Sequence, residues 1–132
     1  MTTKLKKILY AEDEEDIRAI AQIALEDIGD YEVKYCSNGQ DVLSAAQTFT
    51  PDLILLDVMM PFKDGPTTLQ ELRKLNSFSS IPAVFMTAKI QTQEIEEYKE
   101  MGVVDVIAKP FNPMELANEL NKIWIRYHGK NT

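Results

Sequence analysis

The sequence predicts an α/β protein, a parallel sheet with helices on both faces, and three observations predict it. Apolar runs close on charged or hydroxyl residues at Glu12-Asp13, Asp57, Thr87 and Lys109. Segments of helical period lie between the runs, and strand and helix alternate strictly along the chain. A continuous apolar run followed by charge and then by a helical pattern reads as a strand buried on both faces and emptying at its carboxyl end. Strict alternation then gives right-handed crossovers and a parallel sheet.

In chain order, Ile8-Leu9-Tyr10-Ala11 forms the first strand and runs into Glu12-Asp13. Ile17, Ile20, Ala21, Ala24 and Ile28 fall on one face of the first helix, which Gly29 ends. The second strand covers 31–36, and the helix marked by Val42, Leu43 and Ala46 takes Ser37 or Asn38 as its cap. Leu53-Ile54-Leu55-Leu56 delivers Asp57, and Leu69, Leu72 and Leu75 mark the third helix. Pro82-Ala83-Val84-Phe85-Met86 ends in Thr87-Ala88. The fourth helix, about 91–101, turns Ile95 and Tyr98 inward and stops at Gly102. The fifth strand, 103–108, is interrupted by Asp105 and ends in Lys109-Pro110-Phe111. Pro113 suits the first turn of the last helix, whose inner face reads Leu116, Ala117, Leu120, Ile123 and Trp124.

A chain of 132 residues is one ordinary domain with room for a real core, expected over about 6–126. Its net charge of −7 disfavours direct nucleic-acid binding, which rests on Lys and Arg neutralising phosphates. The basic cluster Lys4, Lys6 and Lys7 reads as solvated charge. Cys36 is the single cysteine, so no disulfide can form within the chain; it reads as a small buried residue in a reducing compartment. Met1 to Lys7 is polar and no apolar run approaches the roughly 20 residues of a membrane helix, so the expected location is the cytoplasm.

Open parallel sheets place their ligands at the carboxyl ends of the strands. With the strands side by side, Glu12, Asp13 and Asp57 would meet Thr87 and Lys109 on one rim. A hard divalent cation such as Mg²⁺ takes oxygen ligands and is held by one or two carboxylates plus phosphate oxygens. Asp57 is then a nucleophile, Thr87 a hydroxyl donor to a phosphoryl oxygen, and Lys109 a compact positive charge. Glu14, Glu15 and Asp16 read instead as a solvated helix start. Two like charges about 5 Å apart at an effective dielectric of about 20 repel by roughly 3 kcal/mol, so the three acids predict a strained pocket.

With Glu12-Asp13, the stretch from Asp57 through Met59, Met60 and Pro61 to Gly65, Met86-Thr87-Ala88 and Lys109-Pro110-Phe111 in this order, the chain resembles the receiver domains of two-component response regulators. The resemblance runs over about 6–126. It implies a (βα)5 flavodoxin-like domain with strand order 2-1-3-4-5. It also implies transfer of a phosphoryl group from a histidine kinase or phosphotransfer protein onto Asp57, with Mg²⁺ held by Glu12, Asp13, Asp57 and the Met59 backbone carbonyl. Such a protein catalyses only its own phosphorylation and dephosphorylation, and signals as a monomer or a weak phosphorylation-dependent dimer. A cis Lys109–Pro110 bond is implied, and Gly65 reads as a residue permitting a turn denied to others. After Trp124 the sequence offers only a polar end with His128 as an exposed tail residue. The expectation is therefore one receiver domain over 1–132, without an output domain, acting on a downstream protein target.

The departures from the family pattern concern signalling. Val106 stands where many receivers carry the aromatic residue that moves inward with the threonine. Glu12 replaces the commoner Asp, and its longer stem reaches the metal through water. Met59 and Lys89 flank the phosphoryl group and tune water attack, which predicts slow self-dephosphorylation. FMN binding is disfavoured because five consecutive acids, 12–16, follow the first strand where phosphate would sit. A dehalogenase-type phosphatase needs a second acid two residues after the nucleophile, and that position is Met59. A pseudo-receiver, a pure interaction module, is disfavoured by the intact set of Asp13, Asp57, Thr87 and Lys109.

Overall fold

The computed structural model describes residues 4–75, 78–88 and 91–130. Five parallel strands, β1 (Lys7–Ala11), β2 (Glu32–Cys36), β3 (Leu53–Asp57), β4 (Ala83–Thr87) and β5 (Val103–Ala108), form one sheet in the order β2-β1-β3-β4-β5. The central strand β3 is buried at every position, as its unbroken apolar run requires. Asp57 ends it, beside Met86 in register.

Alternate residues of the strands feed two separate cores, and the register shift in the β4–β5 pairing at Ala83/Val84 puts Val103 and Ile107 of β5 on opposite faces. Ile8, Tyr10, Leu53, Leu55, Val84, Met86 and Ile107 meet α1 (Glu15–Gln22) and α5 (Leu116–Lys130). Leu9, Ala11, Ile54, Leu56, Ala83, Phe85 and Val103 meet α2 (Val42–Phe49), α3 (Gly65–Arg73) and α4 (Thr92–Glu100). A fully buried Leu or Ile contributes about 1.5–3 kcal/mol through lost apolar exposure, so the two layers dominate the stability of the domain.

The first helix departs from its expected face. α1 (Glu15–Gln22) continues as a π-helical segment, Ile23–Ile28, whose wider turn changes the phase of the side chains. Ala21, Ala24 and Leu25 are buried, Ile17 is half-buried, and Ile20, Ile23 and Ile28 are exposed. Periodicity at 3.6 residues had assigned Ile20 and Ile28 to the core. The second helix begins at Val42 with Asp41 as its flanking residue, and the Asn38 Oδ1 accepts from the Asp41 amide at 3.0 Å, holding the turn ahead of the helix rather than capping it.

At the end of the sheet opposite the carboxyl rim, Arg73 Nη1 donates to the carbonyls of Phe78 (3.0 Å) and Ile81 (2.6 Å), and Nη2 approaches that of Gly102 (3.5 Å). Tyr127 donates to the Ser80 carbonyl at 2.8 Å, and Arg126 pairs with Asp105. The residues after Trp124 therefore continue α5 as far as Lys130 instead of forming a polar tail. His128 is half-buried, its ring 4.0 Å from that of Trp124. No helix among the described residues is long and apolar enough to cross a membrane.

The rephasing of α1 sets an expected pair of outcomes in urea denaturation. Leu25→Ala should cost about 2–5 kcal/mol through a core cavity. Ile28→Gln should stay within about 0.5 kcal/mol of the parent, as surface substitutions do. Similar losses in both variants would contradict the observed phase.

Candidate functional site

Glu12 follows β1 directly, its amide donating to the Cys36 carbonyl at 2.9 Å, so it continues the sheet and is fully buried. Asp13, one residue on, faces solvent. Asp57 ends β3 with only 3 % of its surface exposed. These three acids each offer an oxygen, all within 4.8 Å of one another, in the one such group among the described residues. The expected convergence of Glu12, Asp13 and Asp57 is present.

Lys109 completes the centre from β5. Its Nζ lies 2.9 Å from Glu12 Oε1 and 2.8 Å from Asp57 Oδ2, bridging the two buried carboxylates. Thr87 is buried at the end of β4, and its carbonyl accepts from the Lys109 amide at 2.9 Å, joining both residues to the same rim. The Lys109–Pro110 bond is cis. Lys89 lies outside the described residues.

The loop after Asp57 folds back on the site. The Met59 amide donates to Asp57 Oδ1 at 3.2 Å, while the Met59 side chain is 76 % exposed. Gly65 is needed for close approach, with no left-handed turn at that position: a Cβ there would stand 2.6 Å from the Asp57 carbonyl oxygen. The left-handed residue of this loop is Phe62, at φ 68°. Asp64 caps α3 by accepting from the Thr67 amide at 2.8 Å.

Two supporting residues were not read from the sequence. Tyr10 donates to Glu12 Oε1 at 3.3 Å from within the core, and Arg18 Nη1 donates to the Glu12 carbonyl at 2.7 Å. The strand period offered a sign of the first, because Tyr10 and Glu12 are two residues apart and share a face. The Glu14 amide donates to Glu12 Oε2 at 3.2 Å, so both carboxylate oxygens are engaged.

The electrostatic strain falls on Glu12. Burial is the largest cause and pushes its carboxyl up to about 7; Lys109 opposes that rise and the Asp57 charge adds to it. The Lys109 ammonium is drawn down by burial, yet its bonds to Asp57 and Glu12 outweigh this and leave it raised. The sequence had attributed the strain to simple repulsion among three acids. With Lys109 between two of them and the third in solvent, desolvation is the larger effect.

A carboxyl whose folded value exceeds its unfolded value of 4.5 keeps its proton longer in the native state. Its contribution to stability is complete below about 4.5 and is lost as pH rises through about 7. In chelator, Glu12→Gln should therefore gain on the parent between pH 5 and pH 8, by on the order of 1–3 kcal/mol in denaturation curves. A difference that is flat or shrinks across this window would show that Glu12 is not held protonated by its burial.

The donor set consists of oxygens alone, which suits a hard cation and not a thiolate-loving one. Residues 8–121 match the family model described as the response regulator receiver domain. The chain is 39 % identical over 123 residues to a probable transcriptional regulator, ycf27, of Cyanophora paradoxa, covering 93 % of this chain and 50 % of that protein. It is 40 % identical over 111 residues to the alkaline phosphatase synthesis transcriptional regulatory protein PhoP of Bacillus subtilis, covering 84 % and 45 %. The chain thus spans about half the length of these curated relatives. Among solved structures, the chemotaxis protein CheY4 of Vibrio cholerae superposes with a TM-score of 0.83 at 29 % identity, over 90 % of this chain and 98 % of that one. The acid cluster at the carboxyl rim, the 2-1-3-4-5 sheet and the family match agree, and the chain belongs to the response regulator receiver domains of two-component systems.

Proposed function

We propose that this receiver accepts a phosphoryl group on Asp57 from a histidine kinase or phosphotransfer protein, with Mg²⁺ as cofactor, and signals by contact with a downstream protein. The observation that carries the reading is the pairing of the Asp57 carboxylate with Lys109 at 2.8 Å, inside a group of three carboxylates. In the transfer, an Asp57 oxygen attacks phosphorus, the phosphorus–nitrogen bond to the donor imidazole breaks, and its electron pair returns to the ring nitrogen. The Met59 amide and the Lys109 ammonium hold the two Asp57 oxygens in place, which is the positioning that phosphoryl transfer chiefly requires. Lys109 then has a phosphoryl oxygen to neutralise, and the Thr87 hydroxyl another to bond.

Bound beside Asp57, Mg²⁺ would offset the charge of the acids and of the incoming phosphoryl group. Asp13, exposed, and Asp57 would hold it together with the Met59 carbonyl, and Glu12, buried and engaged at both oxygens, would add its charge to the same site. The protein turns over no separate substrate.

A groove beside the centre suits the donor protein. Ile17, Ile20, Pro110, Phe111 and Pro113 line it together with Lys109, so an apolar helix seated there lies next to the acceptor. Ile20→Glu should raise KM for the phosphorylated donor protein about tenfold or more through the loss of that contact, with labelling by acetyl phosphate unchanged. Equal effects on both donors would place the docking surface elsewhere.

Acetyl phosphate with Mg²⁺ should add one phosphoryl group, visible by mass spectrometry, to the parent and none to Asp57→Asn or to the parent in chelator. Labelling of Asp57→Asn, or labelling indifferent to chelator, would overturn the assignment. Met59 offers no strong hydrogen bond to hold an attacking water, so Met59→Asn should lose the group faster once the donor is removed. An equal or slower loss would show that position 59 does not limit water attack.

A further inference from the structure

The loop that follows Asp57 leans on the turn that follows β2. Residues 58–65 form a closed loop, in which the Gly65 amide donates to the Val58 carbonyl at 3.0 Å. Within it the Lys63 amide donates to the Pro61 carbonyl at 2.8 Å, across Phe62 at φ 68°. A left-handed aromatic residue is strained, and it persists where the surroundings over-determine the backbone. Met59, in the same loop, holds Asp57 Oδ1 through its amide. Behind the loop sits Gly39, buried, in a turn that Asn38 and Asp41 lock with two bonds of 3.0 and 3.2 Å. A Cβ on Gly39 would overlap both the Lys63 carbonyl oxygen and the Thr68 hydroxyl, and would stand 2.9 Å from Lys63 Cβ. Neither partner can step aside cheaply. One is backbone, and Thr68 is fully buried with its Oγ1 donating to the Asp64 carbonyl at 2.8 Å. Gly39 has no left-handed φ, so space and not backbone conformation is what limits this position.

We propose that Gly39 is a positioning residue for the phosphoryl acceptor: the bare backbone of the β2–α2 turn sets how deep the loop after Asp57 lies, and with it the Met59 amide and carbonyl. The inference rests on Asp57 as the acceptor and adds to that site a residue from outside the strand ends. Lys63 is the point of contact, since its carbonyl meets Gly39 and its amide closes the turn at Phe62. The two ends of the loop are fixed, one by the Val58 amide on the Met86 carbonyl at 2.9 Å and the other by Asp64 capping α3. A side chain at position 39 therefore pushes on the loop between those ends, where Met59 lies. A misplacement of about 1 Å caused away from the chemistry can cost about a hundredfold in rate. Residues that orient a metal's ligands matter about tenfold or more in affinity.

The test uses the full chain and compares Gly39→Ala with Gly29→Ala. Gly29 is also crowded, a Cβ there standing 2.7 Å from Ala117 Cβ and 2.8 Å from the Leu25 carbonyl oxygen, but it lies ahead of β2 at the amino edge of the sheet. Without metal, Gly39→Ala should shift the Met59 amide resonance and speed its exchange with solvent, whereas Gly29→Ala should leave both at the parent's values. Mg²⁺ titrated alone should bind Gly39→Ala about tenfold more weakly than the parent. Labelling by acetyl phosphate at saturating Mg²⁺ should be slower by about tenfold or more. A Met59 amide and a Mg²⁺ affinity unchanged in Gly39→Ala overturn the inference, as do equal losses in Gly29→Ala, which would make the effect one of stability. Thr68→Ala opens the same contact from the other side and should also speed Met59 exchange; an unmoved Met59 amide in that variant overturns the inference even where Gly39→Ala does not fold. If the parent takes no label on Asp57, that reading fails and the inference with it, while a labelled parent with an indifferent Gly39→Ala refutes the inference alone.

Discussion

The arrangement depends on one ammonium group held between two buried carboxylates. Adjacent parallel strands end in Glu12 and Asp57, and burying both charges there would be prohibitive without a cation at hydrogen-bond distance. Lys109 supplies it from the far edge strand, crossing the end of β4 to reach both. The same bridge joins β1, β3 and β5 at the rim. It also explains why Glu12 and Lys109 have both shifted upward: each is desolvated, but the lysine has two anions to face while the glutamate has one cation and one anion.

The centre is only partly neutralised. Asp13 adds a further carboxylate on the solvent side, and the Met59 amide donates to the second Asp57 oxygen. Such a site is poised for an anionic group that arrives with a cation, and poorly suited to one that arrives alone. The match to receiver domains covers residues 8–121, and the chain spans about half the length of the curated relatives.

Strands and strand-end residues were legible in the sequence because burial on both faces leaves an uninterrupted apolar run that must end in chemistry. The meeting of Glu12, Asp13 and Asp57 with Lys109 follows that expectation, whereas the order of the strands came only with the resemblance to receiver domains, because apolar runs do not say which strand lies beside which. Helix faces were less legible. Ile28 sits at helical spacing from Ala21 and Ala24, but the wider π turn of Ile23–Ile28 delays the phase and turns it outward, while Ile20, ahead of that turn, lies at the margin of the buried face beside the groove and smaller alanines take the core. Gly65 was recognised as necessary for the wrong reason: the limit is the nearness of a carbonyl, which only the tertiary arrangement reveals. The length of α5 was missed because its last residues are held by a backbone carbonyl at Ser80 and by an edge contact of His128 with Trp124, partners that the apolar pattern does not report.

The knot of carbonyls around Arg73 has a mechanical consequence. It cinches α3, the approach to β4 and the turn before β5 together at the amino edge of the sheet, and Tyr127 fastens α5 to the same place. The two ends of the sheet are thus held by different means: bonds to backbone carbonyls before β4 and β5 at the foot, and at the head one ammonium spanning the ends of β1, β3 and β5. The foot sets a guanidinium against neutral carbonyls and the head sets an ammonium against carboxylates, so pH and added ions act chiefly on the head.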